Sequence, residues 1–312
     1  INPKTLDIMQ RLYVKKNDPL YTYAISFMER HWGVKGFFPG SQPVSIEFKH
    51  FNTLASNQYV VCEKTDGLRF MLLAFMYGGR KVCVLVNRAM EMFGCPLNFR
   101  KPIYDGTILE GELYENMFMV YDCLVSKGEN IGKMDFLQRL ERIEHIKKML
   151  TVLKNDPIKF AIKKFHALPD FGEFMNTYLP TVTQKIDGLV FTPVNDPVKI
   201  GTHETMFKWK PRDKNTIDFQ FKRKGDLWRL YVQEKGKLIF ESEIRDEWVA
   251  DIPWIEEDAI IECQYMFNDS PMWWKPILRR HDKTFPNGRR TFYRTLVNIK
   301  EDIKMEDFLR CT

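Results

Sequence analysis

Two apolar, strand-like runs, Tyr59-Val60-Val61-Cys62 and Phe70-Met71-Leu72-Leu73, are joined by the polar stretch Glu63-Lys64-Thr65-Asp66-Gly67-Leu68-Arg69. The fold must therefore bury both runs while holding a charged break between them, with Gly67 permitting a tight turn. Lysine is a poor nucleophile at its ordinary pKa of about 10.4, and becomes a good one where neighbouring cations or desolvation favour the neutral amine. The pattern K-x-D-G occurs twice, at Lys64 and again at Lys185-Ile186-Asp187-Gly188, so the remaining chain has to choose between the two lysines.

From 58 to 125 the pattern is of strands and turns, with a hairpin around Gly78-Gly79. One strand, 107–114, carries Glu110-Gly111-Glu112, and the next, 117–125, carries Tyr121-Asp122. Carboxylates inside apolar strands need a cation or hydrogen-bond partner, which points to function. Helices are expected over 20–32 and 45–54, and the longest helical segment over 133–165. A strand at 188–193 follows Asp187. Another at 205–211 places Lys208 and Lys210 on one face, a like-charge pair that an anion between them would relieve. After a turn-forming linker at 211–215, short strands at 216–223, 228–233, 237–244 and 259–266 suggest a small β-barrel. Trp273-Trp274-Lys275, Arg279-Arg280-His281-Asp282-Lys283 and Arg289-Arg290 form a basic-aromatic cluster of the kind that meets phosphate or single-stranded nucleic acid. The chain closes with a short helix expected over 302–311.

The 312 residues suffice for two domains, and a net charge of +6 suits a polyanionic partner. Six scattered cysteines without a C-x-x-C pair argue for a reducing, intracellular compartment and against a zinc or disulfide framework. No apolar run approaches the roughly 20 residues of a membrane span. The opening Ile-Asn-Pro-Lys reads as a domain of a longer polypeptide or a trimmed one. Glycine-rich Walker and dinucleotide fingerprints are absent.

Taken in order, these pieces resemble the covalent nucleotidyltransferases, the superfamily of mRNA capping enzymes and polynucleotide ligases. Its six ordered motifs match Lys64-Thr65-Asp66-Gly67-Leu68-Arg69, Glu110-Gly111-Glu112, Tyr121-Asp122, Asp187-Gly188-Leu189-Val190, Lys208-Trp209-Lys210 and Arg280-His281-Asp282-Lys283. Lys-Thr-Asp-Gly with arginine two positions on, the run Asn215-Thr216-Ile217-Asp218, and Asn87-Arg88 are similar to mRNA guanylyltransferases, most of all those of large DNA viruses. Two departures stand out: Glu110 and Asn87 each occupy a place where aspartate is common.

The resemblance implies an α+β fold. A nucleotidyltransferase domain of ATP-grasp-like antiparallel sheets with helices spans 1–213, with 300–312 packing back on it, and an OB-fold barrel spans 214–299. It selects Lys64, because acidic strands follow Lys64 and not Lys185. Lys64 would take GMP from GTP and pass it to a 5′-diphosphate RNA end. Lys208 and Lys210 would favour the neutral amine and stabilise phosphoryl charge. Glu112 and Asp187 would ligate Mg²⁺ or Mn²⁺. Thr65, Asp66, Arg69, Arg88, Glu110 and Tyr121 would contact the nucleotide. Asp218 sits at the hinge, and Arg280, Asp282 and Lys283 reach the β- and γ-phosphates from the barrel. Triphosphatase and methyltransferase modules are expected on the same polypeptide or in a complex. The setting implied is viral, in host cytoplasm, virus factory, virion or nucleus. An ATP-dependent polynucleotide ligase and a non-catalytic RNA-binding module are the alternatives.

Overall fold

The structure, a computed structural model, describes residues 2–267, 270–281 and 283–312. Asp282, expected at the phosphates, lies outside them. The chain divides into two compact units, one of Ile1–Val44, Asn52–Lys208 and Leu309–Thr312, the other of Ser45–Phe51 and Trp209–Phe308.

The principal elements of the first unit, in chain order, are helix α1 (Pro19–Trp32) and strands β1 (Ser41–Ser45), β2 (Tyr59–Thr65), β3 (Leu68–Tyr77) and β4 (Arg80–Asn87). They continue as β5 (Thr107–Tyr114), β6 (Met117–Ser126), α2 (Phe136–Lys148), β7 (Lys159–Ile162), β8 (Ile186–Pro193) and β9 (Gly201–Trp209). Both helices are delimited by their caps. Asp18 accepts from the Leu20 amide ahead of Pro19, and Gly33 closes α1 at φ 82°. Asp135 and Gln138 form a reciprocal capping box on α2.

Strands β3 to β7 belong to an eight-stranded sheet. The period-2 alternation of β3 decides its two faces. Phe70, Leu72 and Ala74 pack with Leu109, Phe118, Ile143 and Ile146, while Met71, Leu73 and Phe75 pack with Ala24, Phe27 and Met28 of α1. A five-stranded sheet carries β2, β8, β9 and β1 in that order, with the short strand His166–Ala167 outside β2.

The expected helix over 133–165 ends at Lys148. Pro157 cannot sit inside a helix, and Lys159–Ile162 instead pairs in parallel with β6, Phe160 opposite Phe118. The helix expected over 45–54 is shifted, because Ser45 still belongs to β1 and the helix proper is Phe51–Ser56.

The second unit is built on an antiparallel sheet of β10 (Thr216–Lys224), β11 (Leu227–Glu234), β12 (Lys237–Arg245), β13 (Ile260–Tyr265) and β14 (Trp274–Arg279). Their order is β12-β11-β10-β13-β14. The basic-aromatic region thus contains a fifth strand, and Arg289-Arg290 open a helix, α3 (Arg289–Glu301), whose Phe292, Leu296 and Ile299 fill the core. Segment 45–51 belongs here through the Asn298 side chain donating to Ile46 O at 2.8 Å and the Phe48 amide donating to Glu301 Oε1 at 3.0 Å.

Asp122 is spent on the fold. Arg139 of α2, only 3% exposed, donates to its two oxygens at 2.8 and 3.3 Å and to Met134 O at 2.6 Å. Arg139→Ala is therefore expected to cost about 3–5 kcal/mol by leaving Asp122 without its cation. Urea melts of the two proteins measure the loss, and an unchanged midpoint would remove this pair from the account of the fold.

Candidate active site

Lys64 stands opposite Gly188 in the β2–β8 pairing. The register shifts between Ile186 and Gly188, so Asp187 is the extra residue of a bulge, a feature that re-aims a side chain. Its carboxylate oxygens lie 3.2 and 3.4 Å from Lys64 Nζ. The two K-x-D-G copies meet reciprocally. Lys185 Nζ is 3.3 Å from Asp66 Oδ2 and the Asp66 amide donates to Lys185 O at 2.9 Å. The pairs differ in setting. Lys64 and Asp187 are 28% and 17% exposed, whereas Lys185 and Asp66 are 65% and 49% exposed on a surface turn.

At Asp66-Gly67 the chain crosses from the five-stranded sheet to the eight-stranded one. Gly67 is needed for close approach rather than for an unusual turn: a Cβ there would lie 2.7 Å from Leu113 O and 3.0 Å from Glu112 Cγ. Its amide donates to the Glu112 carboxylate. On β5, Arg69 of β3 faces Glu112 and Met71 faces Glu110, so both carboxylates share one face. Gly111 between them is also obligatory, since a Cβ would meet Met119 O and the Phe118 ring, each at 2.7 Å.

Arg69 is tied to Glu110 by a short ion pair and donates to Ser41 O at 2.8 Å, with Phe38 5.2 Å from its guanidinium. Burial works against its charge, but Glu110 and Tyr121 hold its pKa above the ordinary arginine value. Tyr121 is the bulged residue of β6, between Val120 opposite Gly111 and Asp122 opposite Glu110. Burial first, then Glu110, pushes its hydroxyl well above the usual phenol range.

Burial also pushes the Glu112 carboxyl up, with Lys163 and Lys64 pulling it down and Asp187 raising it. Lys163, unnoticed in the sequence, is the buried cation of this region. It donates to Thr65 Oγ1 through a short hydrogen bond and lies 3.4 Å from Glu63 Oε1, both charged side chains being at most 5% exposed. Its place directly after β7 was masked by the expectation of a helix; the alternation of Ile158, Phe160 and Ile162 around Pro157 was the signal available.

Among the described residues no group of three or more His, Cys, Asp or Glu is arranged around a metal position. Glu112 and Asp187 nonetheless fit a hard divalent cation. They are mutually repelling carboxylates beside Lys64, and Mg²⁺ commonly takes one or two carboxylates with phosphate and water completing the shell.

The remaining expected residues have settings of their own. Arg88 is exposed, 3.5 Å from Gln42 Oε1. Lys208 is half-buried on β9, and Lys210 follows that strand in the second unit. Within the second unit, Asp218 accepts from Arg280 Nη1 at 3.1 Å and, through a short bond, from Lys283 Nζ. One carboxylate, 5% exposed, thereby gathers both cations of the last motif.

A raised carboxyl pKa means that the ionised form is disfavoured in the folded state, so its contribution is present below the unfolded value and lost as pH rises through the folded one. Glu112→Gln is therefore expected to raise the melting temperature at neutral pH, with the gap closing below about pH 4. Thermal melts across that range test it; a variant less stable at neutral pH would contradict the assignment.

Relatives agree on one family. The model of the mRNA capping enzyme catalytic domain matches residues 14–212. The mRNA-capping enzyme subunit alpha of Schizosaccharomyces pombe is 27% identical over 323 residues, covering 88% of this chain and 79% of that protein. The mRNA-capping enzyme of Mus musculus is 26% identical over 305 residues, covering 88% of this chain and 49% of that protein. Among solved structures, mycobacterial DNA ligase D complexed with ATP and MES covers 78% of this chain and 95% of its own at 13% identity. Its TM-score is 0.43, a likeness below what fold assignment needs. The chain belongs to the mRNA capping enzyme family, through its catalytic domain.

Proposed function

We propose that this chain is an mRNA guanylyltransferase working through a lysyl-GMP intermediate on Lys64. The observation that carries the reading is the partly open Lys64 amine held 3.2 Å from Asp187, with Glu112 alongside, at the crossing of two sheets. In the first step the neutral amine attacks the α-phosphorus of GTP, a P–N bond forms and the bond to pyrophosphate breaks. In the second, a terminal oxygen of a 5′-diphosphate RNA attacks the same phosphorus and the P–N bond breaks, returning the electron pair to Lys64.

The ion-paired lysine must shed its proton before attacking, and Asp187 is the nearest acceptor. Arg69, oriented by Glu110 and Ser41 O, is positioned for ribose or phosphate, and Tyr121, fixed at its bulge, for the base. Glu112 and Asp187 would hold Mg²⁺ or Mn²⁺, which when bound neutralises charge on the phosphoryl oxygens. Thr65 and Asp66 shape the turn through Lys163 and Lys185 rather than by pointing freely at a ligand. Lys208, Lys210 and Arg88 supply further cations.

The second unit reads as an OB-fold: its 3-2-1-4-5 strand order fits a five-stranded barrel. Asp218 then acts as the keeper of Arg280 and Lys283, releasing them to the β- and γ-phosphates when the nucleotide arrives. Triphosphatase and methyltransferase steps would fall to modules on the same polypeptide or in a complex. A viral origin would place the chain in the host cytoplasm, in a virus factory or virion, or in the nucleus.

Incubation with α-labelled GTP or ATP and a divalent metal, followed by a denaturing gel, tests the reading. A label from GTP alone, removed by pyrophosphate, is expected; a label from ATP alone would make the chain a ligase. Lys64→Ala should abolish the adduct and Lys185→Ala should keep it, whereas an adduct surviving in Lys64→Ala would overturn the choice of nucleophile.

A further inference from the structure

The basic-aromatic stretch around Trp273 has no part in the chemistry above, and Met266, whose amide bonds Trp273 O, lines a cavity inside the second unit. The cavity, about 520 Å³, is lined among others by Arg212, Lys304, Gln264, Tyr265 and Phe267. That is ample for one nucleotide, within the roughly 300–1,000 Å³ range of ligand pockets. The Arg212 guanidinium carbon sits 3.5 Å from the centre of the Phe267 ring, and Phe267 meets Tyr265 edge-on at 4.8 Å. Arg212 is held in place by Asp302, whose carboxylate is 3.2 Å from its Nη1 and 3.0 Å from Lys304 Nζ.

The wall continues into open surface. Gln264 of β13 is directly opposite Lys275 of β14, so both side chains leave the same face of the sheet. Two pairs further along, past Tyr265 and Trp274, the Met266 amide donates to Trp273 O at 2.7 Å, which returns Trp273 to that face. Its side chain is 66% exposed, and Phe267 is 39% exposed. An indole this open gains little from the core, and it offers a flat apolar surface beside Met266 of the cavity lining.

We propose that this cavity and Trp273 form a subsite for single-stranded RNA, holding nucleotides downstream of the 5′ end being capped. One base enters the cavity beside Phe267 and Arg212, with the Gln264 amide at its edge, and a neighbouring base stacks on Trp273. Lys275 and Lys304 line the path of the phosphates. With Asp302 already occupying two of the cations, stacking supplies more of the affinity than charge, so binding is tolerant of sequence. In an OB-type barrel the loop after the fourth strand is one of those that border oligonucleotides, and Phe267 and Trp273 stand on the two arms of that loop here. The proposal rests on the reading of the chain as an enzyme acting on RNA, but its test uses neither GTP nor Lys64.

The full chain is titrated with fluorescent single-stranded RNA bearing a 5′-hydroxyl, which offers no diphosphate to the active site. The Phe267→Ala/Trp273→Ala double variant should bind it about tenfold or more weakly, as expected for loss of stacked bases, while still forming the enzyme-nucleotide adduct at the unaltered rate. Independently of any variant, RNA carrying 5-iodouridine should photo-crosslink to peptides containing Phe267 or Trp273. Unchanged affinity in a variant that still forms adduct, crosslinks confined to other peptides, or equally tight binding of a blunt RNA duplex would each overturn the subsite. Failure of the adduct assay in the unaltered chain would instead strike at the guanylyltransferase reading, whatever the RNA titration gives.

Discussion

Carboxylates buried at the crossing of two sheets are tolerable only beside cations, and the first unit is arranged around that requirement. Glu63, Glu110, Glu112 and Asp187 approach one another where β2 passes into β3, and Lys163, Arg69 and Lys64 come to meet them. Taking any one of these ions from water is expensive, so each needs a partner in place. The pairs differ in exposure. Glu63 with Lys163 is closed and deeply buried, Glu110 is buried under a partly exposed Arg69, and Lys64 with Asp187 is the most open. Only the last can exchange its partner for a substrate without exposing a bare charge in the interior.

Close approach is the second condition, and glycine provides it. Gly67 lets the lysine turn lie against the Glu112 strand, and Gly111 lets Phe118 and Met119 press against the strand that carries both glutamates. The carboxylates are therefore fixed by backbone contacts, not by flexible side-chain reach. The two register shifts add direction. An extra residue at Asp187 and another at Tyr121 turn side chains toward the turn that a regular ladder would have sent elsewhere. Arg69 links the two features, since it takes Glu110 on one side and lies within reach of Tyr121 on the other.

Acidic residues in the same motifs do different work. Asp122 directly follows Tyr121, yet it is closed by Arg139 and anchors α2 to the sheet. Asp218 performs a comparable service in the second unit for Arg280 and Lys283, but those partners remain about a third exposed. A fully enclosed pair holds a fold; a pair with an open side is able to release its ions.

The sequence by itself marked many of the strands, since period-2 alternation is a local property, though Lys159–Ile162 and Trp274–Arg279 escaped it. Thr107–Tyr114 and the hairpin around Gly78-Gly79 read directly from it, as did the capped helix ending at Trp32. The order of its motifs, which survives in the linear chain, also made Lys64, Glu112 and Asp187 the candidates. What it left undecided depends on contacts between distant segments. Lys163 lies 98 residues from Thr65, and the alternation just before it announces a strand but not which groups its ammonium will meet. The pairing of the two K-x-D-G copies is likewise a matter of register, since one bulge at Asp187 separates a carboxylate aimed at Lys64 from one aimed away. Asp122 needed α2 to be placed before its partner was known. Charges are written in the sequence, but which charge neutralises which is decided only when the sheets close on one another.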